Sequence, residues 1–215
     1  DSDLIATGGG TGGSRSVTVQ NNATLATVAK MIAAFTPYVA GKMGVAEDQV
    51  SFDDETFRAA GSNLTPSFLD LAEMAREDGR LDLLRHQARA TLPARSYPNG
   101  GHVAEVEIDS DTGVVTVERY SVVDDFGNLI NPMLAEGQVH GGVAQGIGQA
   151  ITEHVVYDDN GQLLTGSFMD YAMPRADDIP LVRFDTEAVP STANAMGMKG
   201  CGEAGTVGAL AAVAN

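Results

Sequence analysis

The chain has 215 residues, 43% of them apolar, which is the composition of a soluble globular protein with one large or two small domains. With 29 acidic and 13 basic residues its formal charge is -16, a field that repels phosphate backbones and argues against direct nucleic-acid binding. The single cysteine excludes an internal disulfide and any zinc site built on several cysteines.

No uninterrupted apolar run approaches the ~18 residues that a membrane-spanning helix needs, and the first residues lack the basic and apolar regions of a signal peptide. We therefore expect a cytoplasmic protein with no membrane attachment. The sequence starts without Met and stops at Asn215 inside an alanine-rich helical pattern. This predicts a C-terminal fragment of a longer polypeptide.

Glycine is concentrated in three clusters, at residues 8–13, 141–148 and 197–208, and each lies in or beside a predicted helix. After the first cluster, apolar residues at helical spacing predict a helix from about Asn22. Pro37 should end or bend that helix, because proline has no backbone N–H to donate inside a helix.

The rest of the chain predicts a series of short elements. In chain order they are strands at 50–52 and 56–60, a helix from Pro66 to about Ala75, hairpin strands at 102–108 and 114–123, a helix from Pro132 to about Ile151, a second hairpin at 155–157 and 162–164, a strand at 182–188 and a helix at 204–213. Helices and hairpins mingle without a regular β-α-β rhythm. The predicted class is α+β with mostly antiparallel hairpins, in two interleaved α+β subdomains with a boundary near residues 95–100.

The third glycine cluster holds the main catalytic candidate, Glu203. The stretch Gly197-Met198-Lys199-Gly200-Cys201-Gly202-Glu203-Ala204-Gly205 places one carboxylate among four glycines just before a predicted helix. Glycine lets the backbone adopt positive φ and approach a bound group, so N–H donors and the acid can face the same point. The alternative is a glycine-rich turn whose acid caps the helix from Ala204.

On the Pro132 helix, Gln138 and Gln145 lie seven residues apart, with Gly141 and Gly142 between them on the same face. Two amides beside a glycine groove can hold a flat or phosphate-bearing ligand against the backbone. The alternative is that another backbone packs closely on these glycines.

Gly12, Gly13, Ser14 and Arg15 form a candidate anion cradle of flexible backbone, hydroxyl and guanidinium, although the spacing is not that of a P-loop. The four histidines show no spacing typical of a metal site, and none is assigned as a ligand. Asp124 and Asp125 are interpreted as solvated turn acids.

Taken together, these motifs resemble the C-terminal part of the molybdopterin-binding large subunit of the xanthine dehydrogenase, aldehyde oxidase and carbon monoxide dehydrogenase family of molybdenum hydroxylases. The resemblance is carried by residues 10–16, by Asn131-Pro132 with residues 136–148, by residues 199–205, and by Tyr97-Pro98-Asn99-Gly100-Gly101-His102 and Phe168-Met169-Asp170-Tyr171-Ala172-Met173-Pro174. It covers nearly the whole chain and implies the fold of the molybdenum-cofactor-binding domain.

The resemblance also implies a cofactor and its ligands. The cofactor is a molybdenum-bearing molybdopterin, commonly the cytosine dinucleotide form in bacteria, and the pterin dithiolene rather than the protein holds the metal. Gly12 to Arg15 would line the phosphate region. The pterin and the metal's surroundings would contact residues of the other two clusters: Gln138, Gly141, Gly142, Gln145, Lys199, Gly200, Cys201 and Gly202.

Glu203 would be the general base that takes the proton from the attacking hydroxyl at molybdenum. The implied enzyme oxidises an aldehyde or a nitrogen heterocycle with water as oxygen source and passes electrons to [2Fe-2S] and FAD partner subunits, while the fragment alone is inactive. The alternatives are a non-catalytic phosphate- or nucleotide-binding module, or a scaffold whose three glycine clusters lie far apart.

Overall fold

The computed structural model describes Asp3 and residues 8–215. Within them the helices and strands are α1 (Ser16–Met43), β1 (Val50–Asp53), β2 (Thr56–Ala59), α2 (Phe68–Glu77), β3 (Asn99–Ile108), β4 (Val115–Asp125), α3 (Pro132–Ile147), β5 (Val182–Thr186) and α4 (Ala204–Ala214). The chain divides into two compact units. The first unit comprises the N-terminal segment through Thr18 together with Pro93–Asn215, and the second comprises Val19–Leu92.

The second unit is built around aromatic side chains. Strands β1 and β2 form an antiparallel pair, and the rings of Phe52, Phe57 and Phe68 lie with centroids 4.8–5.3 Å apart. Helix α2 starts with a capping box, in which the Ser67 hydroxyl accepts from the Asp70 N–H and the Asp70 carboxylate accepts from the Ser67 N–H.

Helix α1 is longer than the sequence pattern predicts, because it begins at Ser16 and continues through Pro37 to Met43. By length and composition alone it could cross a membrane, a test that core helices of soluble proteins also pass, so the expectation of no membrane attachment stays a prediction. Its later turns instead supply buried side chains, including Phe35 and Val39, to the core of the second unit.

The first unit contains a three-stranded sheet in the order β3-β4-β5. Strands β3 and β4 form the predicted antiparallel hairpin, with a register shift at Glu105/Val106, whereas β5 runs parallel to β4. Helices α3 and α4 pack with β4 around one core. Its buried members are Val117, Tyr120, Val122, Phe126, Ala135, Val139, Val143, Ile147, Ala209 and Val213.

Helix α3 confirms the predicted helix. The Asn131 side chain accepts a hydrogen bond from the Leu134 N–H at 3.1 Å, and Pro132 occupies the first turn. After Ile147 the chain continues in a π-helical turn to Thr152, so helical backbone reaches the predicted end.

The remaining expectations hold in part. The α+β class is confirmed, and two of the three strand pairings are antiparallel. The second predicted hairpin is reduced to one isolated bridge between Tyr157 and Leu163, and β5 ends at Thr186, two residues before the predicted end.

Candidate functional site

All three glycine clusters contribute to one region of the first unit. The approach is closest where the backbone of Ser14 lies against Gly200, since a Cβ on residue 200 would stand 1.7 Å from the Ser14 carbonyl oxygen. Only glycine fits there without movement. The scaffold hypothesis is therefore wrong in its premise that the clusters lie far apart.

Glu203 stands at this meeting point and is exposed. Its Oε2 accepts a hydrogen bond from the Ser14 hydroxyl at 2.6 Å, and its backbone N–H donates to the same hydroxyl oxygen at 3.1 Å. Glu203 occupies the N-cap position of α4 but makes no capping hydrogen bond with its side chain. The alternative in which this acid serves as a helix cap is thereby contradicted.

The loop before Glu203 is fixed to the end of β4. Gly127 and Gly197 both adopt positive φ, and a Cβ on residue 127 would approach the Gly197 carbonyl oxygen to 2.1 Å. The Lys199 N–H donates to the Phe126 carbonyl at 2.8 Å. These contacts fix the backbone of the loop at Gly197 and Lys199, a few residues before Glu203.

The side chain of Lys199 is also directed to β4. Its ammonium forms an ion pair with Asp125, and the two side chains are only 9% and 12% exposed. The Asp125 carboxylate additionally accepts from the Gly127 and Val189 N–H groups, each at 2.9 Å. Lys199 thus has a protein partner where the sequence predicted contact with the cofactor.

Burial raises the pKa of Asp125, but the hydrogen bonds from Lys199 and from the Val189 and Gly127 N–H groups outweigh that effect. The net result is a pKa below the ordinary value of an aspartate. The interpretation of Asp125 as a solvated turn acid is wrong, because the side chain is a buried and ionised anchor for the loop.

Asp124 is the second acid that the sequence interpretation misplaced, for it is 2% exposed. Its Oδ1 lies 3.2 Å from His102 Nε2, and His102 Nδ1 lies 2.7 Å from the Tyr120 hydroxyl. Burial raises the pKa of Tyr120, and the Asp124 charge raises it further, so the phenol stays neutral. The network is consistent with Tyr120 donating to His102 and His102 donating to Asp124.

Two glycines make room for this buried network. A Cβ on Gly100 would lie 1.8 Å from Asp124 Oδ1, and a Cβ on Gly208 would lie 2.4 Å from the His102 ring. Because Gly208 belongs to α4, the network supports the helix that Glu203 precedes. The alternation of Tyr120, Val122 and Asp124 along β4 is the sequence signal that would have placed Asp124 on the buried face.

Helices α3 and α4 are in direct backbone contact through glycines. A Cβ on Gly205 would lie 2.4 Å from the Val139 carbonyl oxygen, and one on Gly142 would lie 2.9 Å from the Thr206 nitrogen. For Gly142, the alternative of close packing by another backbone is therefore correct. Gly141 differs from its neighbour, since it is exposed and nothing lies within 4 Å of its Cβ position.

The two predicted amides also lie along the contact with the α4 segment. Gln138 Nε2 donates to the Gly202 carbonyl at 3.3 Å, and the Thr206 hydroxyl donates to Gln145 Oε1 at 3.1 Å. Both glutamines are exposed, as are Gly141 and Gly202. Exposed amides, bare backbone and the Glu203 carboxylate thus share one region of the first unit.

In the first glycine cluster, Arg15 folds back so that its guanidinium donates to the Gly10 carbonyl at 2.5 Å. Gly12 and Gly13 have open space at their Cβ positions, and Gly13 and Ser14 both adopt positive φ. Backbone there is accessible to a ligand that needs N–H donors without side-chain interference.

Cys201 is half-buried beside the core of the first unit. Burial raises the pKa of its thiol, and the Asp124 charge adds to that rise. The thiol is consequently protonated at neutral pH and is not an activated nucleophile. In this environment Cys201 serves as a small packed side chain.

These residues suit a flat, phosphate-bearing ligand. Bare backbone at Gly12, Gly13 and Gly141 leaves space that a Cβ would fill, and the amides of Gln138 and Gln145 offer both donors and acceptors. The only exposed carboxylate among these residues is that of Glu203.

Known proteins resemble this chain in both sequence and fold. Residues 1–180 match the family model described as Molybdopterin cofactor-binding domain. The chain is 33% identical over 225 residues to the carbon monoxide dehydrogenase large chain of Afipia carboxidovorans, covering 100% of this chain and 27% of that relative. It is 46% identical over 119 residues to the nicotine 6-hydroxylase large subunit of Paenarthrobacter nicotinovorans, covering 55% of this chain and 15% of that relative.

Among solved structures, the fold superimposes on a chain of the Cu,Mo-CO dehydrogenase in its carbon monoxide reduced state, with a TM-score of 0.83 and 32% identity. The match covers 97% of this chain and 27% of that one. The chain thus spans about a quarter or less of the length of these relatives.

Proposed function

The chain belongs to the family of molybdopterin-binding large subunits of molybdenum hydroxylases, and from this premise we propose that it is part of an enzyme that hydroxylates an aldehyde or a nitrogen heterocycle. Water would supply the oxygen, and two electrons and two protons would leave for each substrate hydroxylated. The name of the relative that hydroxylates nicotine, a nitrogen heterocycle, favours the second substrate class.

The observation that carries the proposal is the placement of Glu203. Its carboxylate is exposed where the three glycine clusters approach one another, is held by Ser14 and does not cap its own helix. A carboxylate with one oxygen hydrogen-bonded and the other available can accept a proton. We assign Glu203 as the general base that deprotonates the water-derived nucleophile as it attacks the substrate carbon.

The residues that would hold the molybdopterin fall into two groups. Gly12, Gly13 and Arg15 would receive its phosphate groups, in our proposal those of a cytosine dinucleotide, and Gln138, Gly141, Gln145 and Gly202 would contact the pterin. When bound, the cofactor would supply a two-electron acceptor beside Glu203. The structure gives Gly142, Lys199, Gly200 and Cys201 protein neighbours, and we propose that these four support the site from behind.

Electron transfer out of this site would require partner subunits with [2Fe-2S] and FAD centres. We further propose that the complex is cytoplasmic and that this segment alone is inactive, since the two relatives are about four to seven times longer than the part matched here.

The substitution Glu203→Gln tests the assignment in the full-length large subunit within its complex. We expect molybdenum near one per chain and unchanged cofactor, because Gln can keep the hydrogen bond from Ser14. Turnover should fall by about 10²–10⁴-fold, since the amide cannot accept the proton. Metal analysis and steady-state kinetics measure these quantities.

Near-normal turnover of the Gln variant would refute Glu203 as the base. A wild-type protein that carries a nucleotide but no molybdenum would instead favour the non-catalytic binding module.

A further inference from the structure

The hydroxyl of Ser14 is the partner that the structure gives to the Glu203 carboxylate. We propose that Ser14 is a positioning residue, which fixes one oxygen of Glu203 so that the other points to the nucleophile. This inference rests on the proposed function of Glu203 as a base. It replaces the sequence interpretation of Ser14 as one more group that lines the phosphates.

The hydrogen bonds between the two residues are reciprocal. Ser14 Oγ donates to Glu203 Oε2 at 2.6 Å, a short distance typical of a charge-assisted bond, and it accepts from the Glu203 N–H at 3.1 Å. Among the described residues, no other hydrogen bond reaches this carboxylate, so Oε1 has no protein partner. The side chain is exposed, and without Ser14 its rotamers would be free to interchange.

The backbone around Ser14 supports a dedicated role for its side chain. Ser14 has a φ of 55°, a left-handed conformation in which glycine is the usual residue. Gly13 before it also has positive φ, so the chain could make this turn with two glycines. A serine at the second position costs conformational free energy, but it supplies the hydroxyl that hydrogen-bonds to Glu203.

The glycines of the third cluster make this approach possible. A Cβ at position 200 would overlap the Ser14 carbonyl oxygen at 1.7 Å, and a Cβ at position 202 would lie 3.2 Å from Ser14 Oγ. Gly200 therefore receives the Ser14 backbone, and Gly202 leaves room for its hydroxyl. Two loops 189 positions apart in sequence thus combine to place one carboxylate.

The first test is Ser14→Gly in the full-length enzyme. Glycine accepts the left-handed backbone and removes only the hydroxymethyl group, so the loop should fold unchanged. We expect wild-type molybdenum and pterin content, unchanged KM and a kcat lower by about 10–100-fold, because small displacements of a catalytic group slow proton transfer to this degree. A crystal structure should show more than one rotamer of Glu203.

Two further variants keep the test specific. Ser14→Asn tolerates the left-handed conformation and retains a donor, so it should recover much of the lost kcat. Ser16→Ala removes a hydroxyl from the same segment whose partner is Thr11, and it should leave kcat unchanged.

The decisive measurement is a double-mutant cycle with Glu203→Gln, read as the rate at which substrate reduces the enzyme. If Ser14 acts through Glu203, then Ser14→Gly should slow the wild type but cause no further loss in the Gln variant. Equal losses in both backgrounds, or loss of molybdenum or pterin from Ser14→Gly, would overturn the positioning role. Normal turnover of Glu203→Gln alone would instead overturn the proposed function.

Discussion

The ion pair between Lys199 and Asp125 connects the loop that carries Glu203 to the end of β4. Both groups are nearly buried, and Asp125 is further held by two backbone N–H donors. In such a pair, removal of one partner leaves a charge that is buried and uncompensated. The pair is therefore a structural requirement of the loop rather than a surface contact.

The substitution Lys199→Met should lower the free energy of unfolding at pH 7 by about 3–5 kcal/mol, because Asp125 would remain buried and charged without its cation. The pKa of Asp125 is lowered in the folded protein, so its contribution is present above the unfolded pKa of about 3.9 and is lost as pH falls through the folded pKa. The difference between wild type and variant should thus shrink toward pH 3. Urea unfolding at the two pH values measures it.

A matched control is Arg119→Met, which removes an ion pair with Glu105 in the same unit where both side chains are mostly exposed. We expect a loss of less than about 1 kcal/mol at pH 7. A Lys199→Met effect no larger than this control would contradict the structural role.

The sequence could predict Glu203 but not its partners. A lone acid among glycines can be recognised from the sequence alone, whereas the contact between Ser14 and Glu203 joins residues 189 positions apart. Asp124 and Asp125 precede a Phe-Gly turn and therefore resemble solvated acids. Their burial follows from β4, which places Asp124 on the core face, and from the approach of Lys199.

Helices α3 and α4 pack with backbone close to backbone at Gly142, Gly146 and Gly205. Such contacts require residues without side chains. The adjacent Gly141 lies on the exposed face. Of these two neighbouring glycines, only Gly142 is required for the packing of α3 against α4.

The two glycines can be separated by the same substitution. Gly142→Ala should destabilise the protein by about 1–3 kcal/mol, because the new methyl group would overlap the α4 backbone near Thr206. Gly141→Ala should be neutral or stabilise by up to about 1 kcal/mol through helix propensity, since its Cβ position is open. Thermal unfolding of the pair compares them directly.

If Gly141→Ala destabilised as strongly as Gly142→Ala, the assignment of the packed and open faces of α3 would be wrong.

In the loaded enzyme Gly141→Ala should also weaken cofactor retention, as expected for a methyl group added to the proposed pterin surface.

The elements that the sequence predicts well have local signals. Helix α3 has an Asn-Pro start and a ridge every four residues, and the β3-β4 hairpin has an acidic, glycine-containing turn. Helix α1 does not end at Pro37, although a proline inside a helix costs about 3 kcal/mol. Burial of Phe35, Val39 and Ala40 beside the proline favours continuation, and that is a tertiary effect.

At the scale of the whole molecule, each of the two units has its own hydrophobic core. The second unit depends on a small set of aromatic rings, in which Phe57 is fully buried. The parallel pairing of β5 with β4 in the first unit is a long-range feature that no local pattern predicts. The sequence therefore indicated the elements better than their assembly.

The substitution Phe57→Ala should destabilise the second unit by about 3–5 kcal/mol, because it leaves a cavity among packed rings. Hydrogen exchange should show faster exchange in β1, β2 and α2, with β4 and α3 unchanged. Leu69→Ala, at a side chain that is 79% exposed, should shift stability by less than about 0.5 kcal/mol. Equal loss of protection in both units would contradict separate cores.

The contact between Ser14 and Gly200 also sets an order of events during biosynthesis. At a ribosomal rate of about 5–20 residues per second, the 189 positions that separate Ser14 from Glu203 take roughly 10–40 s to translate. Throughout that interval the Ser14 hydroxyl lacks its hydrogen-bond partner Glu203. The pair of Ser14 and Glu203 forms only after the carboxylate has left the exit tunnel, so a ligand that needs both residues would bind only at that late stage.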